Sequence, residues 1–409
     1  MNSRPNIIVV ANTSLSTGGG LRALRSLREY PKHFTTYLFL LSRIFKKKDA
    51  DIIINLLNTG IKIVGYADDY YNKRLFGLVR LSRIFGLAYP SILLPAALKP
   101  HIGLGSFDGV VVLNELIEFI YIGNLLGEFF EVPRLVLLQL PLFYGSKNRL
   151  RKILQAYTLW YNILTDNLLR RKKYEVDTIL YFYIIHRLGA KFLRKYNVII
   201  SVSKAVPLEM GDEWSDKVVS LDPGVSLDDE DLRIIQGIKS KVREKGNYIV
   251  FGGRPSPEKG LIEALLVFSA ISRRYRDLKL VVTGDVSSSL LVRLRRVCKR
   301  LGIEDKVIFA GYLPREKRFE VVARTKLMLY PSHIDAFPYA VLESLHLGTP
   351  VVGYRIPALE IYYGKQPGVK LVDEGDVEAL TIETMNTLER KIDAVEPPKI
   401  KTWREILNE

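Results

Sequence analysis

Short apolar runs alternate with amphipathic segments along most of the chain. Between several of the apolar runs lie helical patterns such as Leu21–Glu29 and Leu150–Leu169. Alternation of this kind predicts strands and helices in turn, and hence a parallel, doubly wound sheet. In the first half the predicted strands are Ile7–Val10, Tyr37–Leu41, Ile61–Val64, Gly109–Leu113, Leu135–Leu138 and Val198–Val202.

A second alternating series follows a turn-rich acidic stretch, SLDPGVSLDDED at residues 220–231. The predicted strands of this series are Tyr248–Phe251, Lys279–Thr283, Val307–Ala310, Leu327–Tyr330 and Pro350–Gly353, and the predicted helices are Gly260–Tyr275, Ser288–Leu301 and Arg315–Arg324. The pattern therefore predicts an α/β protein with two Rossmann-like domains, residues 1–222 and 223–394. A last short helix is predicted around Trp403, within about 395–409.

Residues 327–353 carry the densest candidate chemistry. A buried strand leads into a polar turn and then into a helix that starts after Pro338 and stops at Gly348, the positions that these two residues favour. Two carboxylates, Asp335 and Glu343, lie near the start of this helix. Because parallel sheets bind phosphorylated ligands at the carboxyl ends of their strands, the segment predicts such a site. A cap at Asp335 and a solvated Glu343 are the alternative interpretation.

Two glycine-containing loops follow predicted strands in the same way. Gly18, Gly19 and Gly20 follow the first strand, where glycine lets a backbone approach a phosphate or sugar closely. They do not fit the spaced glycine pattern of dinucleotide binders, and an ordinary loop is the alternative. In the second loop, GGRPSPEKG at 252–260, Arg254 and Lys259 flank a proline-rich turn that could hold both cations over a diphosphate. The alternative is a surface turn with an incidental ion pair.

Charge adds a possible partner to this picture. The chain carries a formal net charge of +16, of which residues 1–222 contribute +12. Such a surface favours anionic lipid head groups, a phosphorylated lipid acceptor or nucleic acid, and a generally basic surface without a partner is the alternative. Nucleic acid is the least supported partner, because no zinc-ligand spacing or other nucleic-acid signature is present. The basic clusters are Arg43–Lys48, Lys147–Lys152, Arg170–Lys173 and Arg187–Lys195.

Composition limits the cellular setting and the cofactors. The single cysteine, Cys298, excludes an internal disulfide framework and fits a reducing cytosol. No apolar run has the length of a membrane span, and Met1–Arg4 lead directly into the first predicted strand, so we expect a soluble intracellular protein without a secretory leader. The histidines show no metal-ligand spacing, so no metal is expected. The acidic triplet Asp229–Asp231 is interpreted as the start of a helix.

Taken together, the motifs of residues 245–375 resemble the GT-B glycosyltransferases, specifically the retaining family 4. The matching segments are GGRPSPEKG, VVTGD, VIFAGYLPREK and HIDAFPYAVLESLHLGTPVV, in that order. The resemblance implies two Rossmann-like domains facing each other across a cleft, with a nucleotide-sugar bound there mainly by the second domain. It implies a UDP- or GDP-sugar as co-substrate and no other cofactor, and a terminal helix around Trp403 that returns to the first domain.

The resemblance also implies roles for individual residues. By this carry-over Arg254 and Lys259 bind the diphosphate, Asp335 contacts the donor sugar, and these three are the candidate catalytic residues; Glu343 binds the ribose. The remaining candidate donor-binding residues are Gly18, Gly19, Gly20 and Gly253 near the diphosphate, Tyr312 and Leu313 at the base, and Phe337 and Pro338 around the sugar.

The sequence departs from the family pattern in two places. Asp335 and Ala336 replace the usual glutamate and glycine, which shortens the carboxylate by one methylene. Gln139 or Leu140 lies where many members carry a histidine in the acceptor loop, and His186 is a distant substitute. The first departure affects the choice of donor sugar, and the second leaves the residue that activates the acceptor unassigned.

The main hypothesis is a metal-independent, retaining glycosyltransferase of the cytoplasm, peripheral on the inner face of the plasma membrane. It would transfer a sugar from a nucleotide-diphosphate sugar to a saccharide or lipid-linked acceptor. Transfer with retention needs stabilisation of the leaving diphosphate more than a strong base, and two cations with a helix N-terminus can supply it. The alternative is a catalytically inert sugar-nucleotide-binding or scaffold protein of the same fold.

Overall fold

A computed structural model describes residues 4–11, 27–40, 53–66, 106–221, 227, 229–390 and 395–401. Within these residues the first sheet has seven strands in the order β3-β2-β1-β4-β5-β6-β7, and its recorded pairings are parallel. Its strands are β1 (Asn6–Ala11), β2 (Thr35–Leu40), β3 (Lys62–Tyr66), β4 (Gly109–Val112), β5 (Arg134–Leu138), β6 (Val198–Ser201) and β7 (Val218–Ser220).

The second sheet has six strands in the order β10-β9-β8-β11-β12-β13, again parallel. Its direction of progression reverses between β8 and β11, which is where such sheets bind ligands. Its strands are β8 (Tyr248–Phe251), β9 (Lys279–Thr283), β10 (Val307–Gly311), β11 (Met328–Tyr330), β12 (Val351–Tyr354) and β13 (Val369–Val372).

Helices connect the strands of both series. The first half contains α1 (Ile117–Phe130), α2 (Lys147–Leu164), α3 (Leu168–Leu193), α4 (Ala205–Met210) and α5 (Asp212–Ser215). The second half contains α6 (Asp229–Lys239), α7 (Leu261–Ile271), α8 (Ser288–Arg300), α9 (Arg315–Arg324), α10 (Tyr339–His346), α11 (Pro357–Tyr363) and α12 (Val377–Glu389). Short 3-10 turns occupy Tyr30–Lys32, Pro257–Lys259 and Glu304–Lys306.

These elements confirm the predicted α/β class with two doubly wound sheets. Strands β11 and β12 are buried along their whole length, as expected for parallel strands covered on both faces. The sequence did not predict β7 or β13, which are short, and it took α2 to extend into what is a second helix, α3. The acidic triplet does begin a helix, α6.

The chain divides into two compact units. The first comprises Met1–Gly145, Ile179–Val202 and Val206–Leu221, and the second comprises Ser146–Thr178, Ser203–Ala205 and Asp222–Glu409. The last change of unit coincides with the expected boundary at residue 222. Residues 146–178, however, which the sequence assigned to the first domain, group with the second unit.

Several expectations concern residues outside the described ranges. These are the glycines at 18–20, most of the helix predicted at 21–29, and the terminal helix around Trp403. The connection that precedes this helix is described, and there Val395 and Ile400 pack against the core of the second unit.

Candidate functional site

The loops that follow β8 and β11 meet because these strands are neighbours in the second sheet. Gly260 in the first loop has a φ of 70°, and a Cβ atom there would lie 2.0 Å from the carbonyl oxygen of Pro331 in the second loop. The amides of His333 and Ile334 donate to the carbonyl oxygen of Glu258 at 2.9 and 3.3 Å. Only a residue without a Cβ atom allows this close contact between the two loops, which explains the glycine at position 260.

Lys259 and Asp335 form the centre of this contact. The Lys259 ammonium donates to Asp335 Oδ2 at 2.7 Å and to the carbonyl oxygen of Ile334 at 2.6 Å. The Tyr330 hydroxyl donates to the same carboxylate oxygen at 2.6 Å. Burial, and then the adjacent Asp335, keep the pKa of the Tyr330 phenol well above its ordinary value, so the hydroxyl remains a donor. Asp335 Oδ1 accepts from the amide of Ala336 at 3.1 Å and has capacity for one more donor.

Arg254 lies at the open end of the loop after β8. Its side chain is 66% exposed, and its guanidinium is 3.8 Å from the Glu258 carboxylate. A pair with this geometry contributes little to stability, so the guanidinium can turn toward an anionic ligand. The preceding Gly253 is tightly placed, because a Cβ atom there would lie 2.9 Å from the Cβ of Lys259. The structure thus brings Gly253, Arg254, Lys259 and Asp335 to one end of the sheet.

Glu343, on α10, is held by an arginine that sequence reasoning missed. Both carboxylate oxygens accept from Arg318 on α9, at 2.5 and 2.9 Å. Burial raises the pKa of Glu343 above its ordinary value, although the Arg318 charge opposes this shift. Each oxygen keeps a second lone pair for a hydroxyl group. The neighbouring Arg315 pairs with Asp231 at 2.6 Å.

A buried network fixes the loop after β11 from behind. His333 Nε2 lies 2.9 Å from Glu263 Oε1 and Nδ1 lies 2.8 Å from Glu374 Oε1. Arg149 on α2 contacts Glu374 at 2.5 Å and also donates to the carbonyl oxygen of His333. Burial lowers the pKa of the imidazole, but the hydrogen bonds to Glu263 and Glu374 outweigh it, so the pKa of His333 is raised. An imidazolium with a donor on each nitrogen matches two carboxylates.

The predicted sugar-lining residues Phe337 and Pro338 lie within the protein. Phe337 is buried, and its ring contacts Tyr362 at 5.3 Å and Tyr363 at 5.8 Å between centroids. The Tyr363 hydroxyl donates to the carbonyl oxygen of Pro338 at 3.2 Å. These contacts fix the start of α10, whose Ncap is Pro338 and which Gly348 follows with a φ of 70°. A role in lining a sugar stays a prediction.

The residues proposed for the base follow the edge strand β10. Tyr312 is 64% exposed, and Leu313 is half-buried. The loop after β9 joins this region, because the Gly284 amide donates to the carbonyl oxygen of Gly311 at 2.8 Å. Their part in binding a base stays a prediction.

In the first unit, Gln139 is buried after β5. Its side-chain Nε2 donates to the carbonyl oxygen of Leu113 at 2.8 Å, and its backbone N–H donates to Glu115 Oε2 at 3.2 Å. His186 is on α3, where its ring packs edge-to-face on Phe143 at 5.1 Å. A catalytic part for either residue stays a prediction, and Gly18, Gly19 and Gly20 lie outside the described residues.

The described residues include no cluster of three or more His, Cys, Asp and Glu side chains that could bind a metal ion. In the same part of the chain, no helix combines the length and apolar character needed to cross a membrane.

Part of the chain is similar to known glycosyltransferases. Residues 235–390 match the family described as Glycosyl transferases group 1. A D-inositol 3-phosphate glycosyltransferase from Acidothermus cellulolyticus is 34% identical over 121 residues, which cover 28% of this chain and 27% of that protein. A 2-deoxystreptamine glucosyltransferase from Streptomyces kanamyceticus is 27% identical over 155 residues, 38% of each chain. The matched stretches thus span well under half of these relatives.

Solved structures resemble the chain over almost its whole length. Anabaena HepE, crystallised with UDP and glucose, aligns with a TM-score of 0.60 at 13% identity over 94% of this chain and 90% of its own. Sucrose-phosphate synthase from Thermosynechococcus elongatus gives 0.61 at 14% identity over 98% and 96%. At such identities the likeness establishes the fold, which is the two-domain Rossmann-like GT-B fold. The similarity to the group 1 family is confined to residues 235–390, whereas the shared fold extends over nearly the whole chain.

Proposed function

We propose that this chain is a retaining glycosyltransferase of family 4 that uses a nucleotide-diphosphate sugar, with UDP or GDP as the nucleotide. The observation that carries the proposal is the contact between the loops after β8 and β11, which sets Lys259 against Asp335 beside Arg254. The two cations suit the diphosphate of such a donor, and the carboxylate suits its sugar hydroxyls, at the point of the sheet where the strand order reverses.

Each side chain has a distinct task in the proposed reaction. Arg254 is mobile enough to bind the diphosphate oxygens, and Lys259 adds a fixed positive charge where negative charge develops on the leaving group. Asp335 Oδ1 accepts a hydroxyl of the sugar, while its Oδ2 is held by Lys259 and Tyr330. Glu343, oriented by Arg318, accepts the ribose hydroxyls. Electrostatic stabilisation of this kind requires neither a metal nor a protein nucleophile.

The acceptor and the location are the finer parts of the proposal. A saccharide or lipid-linked acceptor at the cytosolic face of a membrane is supported by the basic clusters at Lys147–Lys152 and Arg170–Lys173. We propose no nucleic-acid partner.

The donor site is tested by exchanging its cations. Lys259→Ala and Arg254→Ala should each lower donor hydrolysis or transfer by roughly a hundredfold, the usual effect of removing one charge-stabilising group. Lys279→Ala removes an exposed lysine at the opposite, amino-terminal end of β9, so it should retain activity. Unchanged activity in both site variants would refute the donor assignment.

A catalytically inert sugar-nucleotide-binding protein is the second candidate. It is favoured by the ion pairs that already engage both carboxylates, Asp335 with Lys259 and Glu343 with Arg318. The two candidates differ in turnover: purified protein that binds a nucleotide-sugar, but releases no free sugar and glycosylates no acceptor, would support the inert protein.

A further inference from the structure

A cationic cavity lies in the second unit, between the end of α2 and helix α8. Its volume is about 420 Å³, and its apolar lining residues are Ile163 and Leu164. Four cations and one carboxylate complete the lining: Arg293, Arg296, Lys299 and Arg300 of α8, and Asp166 after α2. An excess of three positive charges around one cavity favours an anionic occupant such as a phosphate group.

The sequence of α8 explains why these cations share one face. Leu294, Val297 and Cys298 are buried in the core of the second unit. Arg296 lies three residues after Arg293, and Lys299 and Arg300 lie three and four residues after Arg296, so the four side chains lie on a side of the helix away from the buried residues. Arg300 also donates to the carbonyl oxygen of Ile163 at 2.6 Å, which fastens α8 to the end of α2.

An exposed apolar tip follows the cavity directly in the chain. After Asp166 and Asn167, helix α3 starts with Leu168 and Leu169, whose exposures are 62% and 78%. Arg170–Lys173 follow at once. Exposed leucines next to a basic run are typical of segments that enter the interface of an anionic bilayer.

We propose that this surface, made of the cavity, Leu168, Leu169 and Arg170–Lys173, docks on a bilayer that contains anionic phospholipids. The cavity receives a phosphate headgroup and the two leucines enter the acyl boundary. This inference deepens the proposed function, because it rests on the proposed membrane location of the enzyme. A soluble anion would occupy the cavity but would leave the exposed leucines without a role, whereas a bilayer accounts for both features.

Vesicle co-sedimentation tests the surface. The full chain should bind phosphatidylcholine vesicles that contain roughly a third phosphatidylglycerol, but not vesicles of phosphatidylcholine alone, and added salt should weaken the binding. Replacing Arg293 and Arg296 together by Gln should weaken it roughly 30-fold, because each basic residue near such a surface contributes about one kcal/mol. Asp166→Asn, which removes the opposing charge, should strengthen it.

A charge control and a leucine variant complete the test. Arg273→Gln with Arg276→Gln removes the same charge from exposed residues outside the cavity lining, and should weaken binding clearly less. Leu168→Ser with Leu169→Ser should also weaken vesicle binding, by at least about tenfold. If the leucine variant binds vesicles normally while inorganic phosphate competes for the cavity, the site takes a soluble anion and the proposal is wrong.

Two other kinds of result would overturn the proposal. One is a loss of selectivity, seen as equal binding to both kinds of vesicle or as equal losses in the cavity and control variants. The other is a dimer, seen by analytical ultracentrifugation, that the leucine variant abolishes while vesicle binding persists. Donor hydrolysis and transfer to an acceptor are measured in parallel without lipid. Activity retained with vesicle binding absent refutes this inference alone, whereas the absence of both hydrolysis and transfer refutes the proposed function.

Discussion

At the scale of single residues, the side chains around the site are held by partners that are distant in sequence. Glu343 was singled out in the sequence as part of the 327–353 segment, but its partner Arg318 was not, and neither were Glu263, Glu374 and Arg149 around His333. The one local signal was Glu263, a charge within the otherwise apolar helix α7. Local patterns predict which residues face the core, whereas the pairing of buried charges depends on tertiary contacts that no local pattern contains.

The first residue-scale prediction concerns Arg318→Ala. Without Arg318, Glu343 would be left buried without its guanidinium partner, so the pKa of its carboxyl should rise further and its orientation should be lost. We expect nucleotide affinity to fall by roughly tenfold or more, and the free energy of unfolding to fall by about 2 kcal/mol, less than for a fully buried pair because Arg318 is partly exposed. Calorimetric titration with UDP and GDP, with urea denaturation, measures both.

Lys317→Ala is the matched control on the same helix. Lys317 is mostly exposed and pairs with Glu320 at the surface, so its loss should change neither quantity by much. Equal nucleotide affinity in the two variants would show that Arg318 does not orient Glu343 for binding.

The second residue-scale prediction is a pH dependence that originates at His333. Since its folded pKa is raised above the ordinary value near 6.5, the imidazolium stabilises the fold fully below the unfolded pKa. This contribution is lost as pH rises through the folded pKa. The advantage of the native protein over His333→Gln in unfolding free energy should therefore shrink as pH rises above about 6.5. Denaturant titrations over a pH series measure it.

The groups that face His333 determine how this dependence is interpreted. They are Glu263 and Glu374 at its two nitrogens, Arg149 beyond Glu374, and the Tyr354 ring at 5.2 Å. A difference between native protein and His333→Gln that stays constant with pH would mean that the imidazole is neutral in the fold.

At the scale of elements, strands were the most predictable feature. Strands β8 and β9 begin and end at the predicted residues, because β8 is an apolar run and β9 has an apolar centre, Leu280–Val282, between Lys279 and Thr283. In the sequence, Gly260 was only the last residue of the GGRPSPEKG loop and the first of a predicted helix, whereas the structure shows why a glycine lies there, namely the close approach of Pro331. A sequence shows that a glycine follows a strand, but not which backbone passes over it.

Gly260→Ala tests this contact between the two loops. The substitution places a Cβ atom against the Pro331 carbonyl in addition to straining a left-handed backbone. Gly302 is a matched control, because its φ of 69° imposes the same strain while a Cβ atom there meets nothing within 4 Å. We expect Gly260→Ala to lower the free energy of unfolding by about 2 kcal/mol more than Gly302→Ala, measured by urea denaturation. Equal losses would contradict the steric argument.

At the scale of the whole molecule, the last change of compact unit falls between Leu221 and Asp222, and the domain boundary expected at residue 222 stays a prediction. The assignment of residues 146–178 could not be read from the sequence, because membership of a unit depends on packing. Helix α2 follows the first-sheet strand β5 directly in the chain, yet its residues Leu159, Trp160 and Ile163 pack against the core of the second unit. The basic clusters counted with the first domain therefore belong partly to the second.

A whole-molecule prediction concerns stabilisation by the nucleotide. A ligand that binds only the folded chain adds about 2.7 kcal/mol to its stability at a hundredfold excess over Kd. We expect UDP or GDP to raise the melting temperature measured by thermal shift, and the corresponding nucleoside to have little effect, since it lacks the diphosphate that we propose Arg254 and Lys259 bind. The shift should disappear in Lys259→Ala. A nucleoside that stabilises as strongly as its diphosphate would show that the cations are not the main contact.

The close packing of the loops after β8 and β11 also bears on engineering a new donor preference. Glu258, Gly260 and Pro331 fix the spacing of the two loops through backbone contacts, so insertions or bulky substitutions there would displace both loops at once. Position 335 differs, because its side chain ends at the site and its length alone sets how far a carboxylate reaches. In the donor site proposed above, we expect a library that keeps 258–260 and 331–334 constant and varies 335 and 336 to alter the choice of sugar, with Lys259 losing its carboxylate partner wherever Asp335 is replaced.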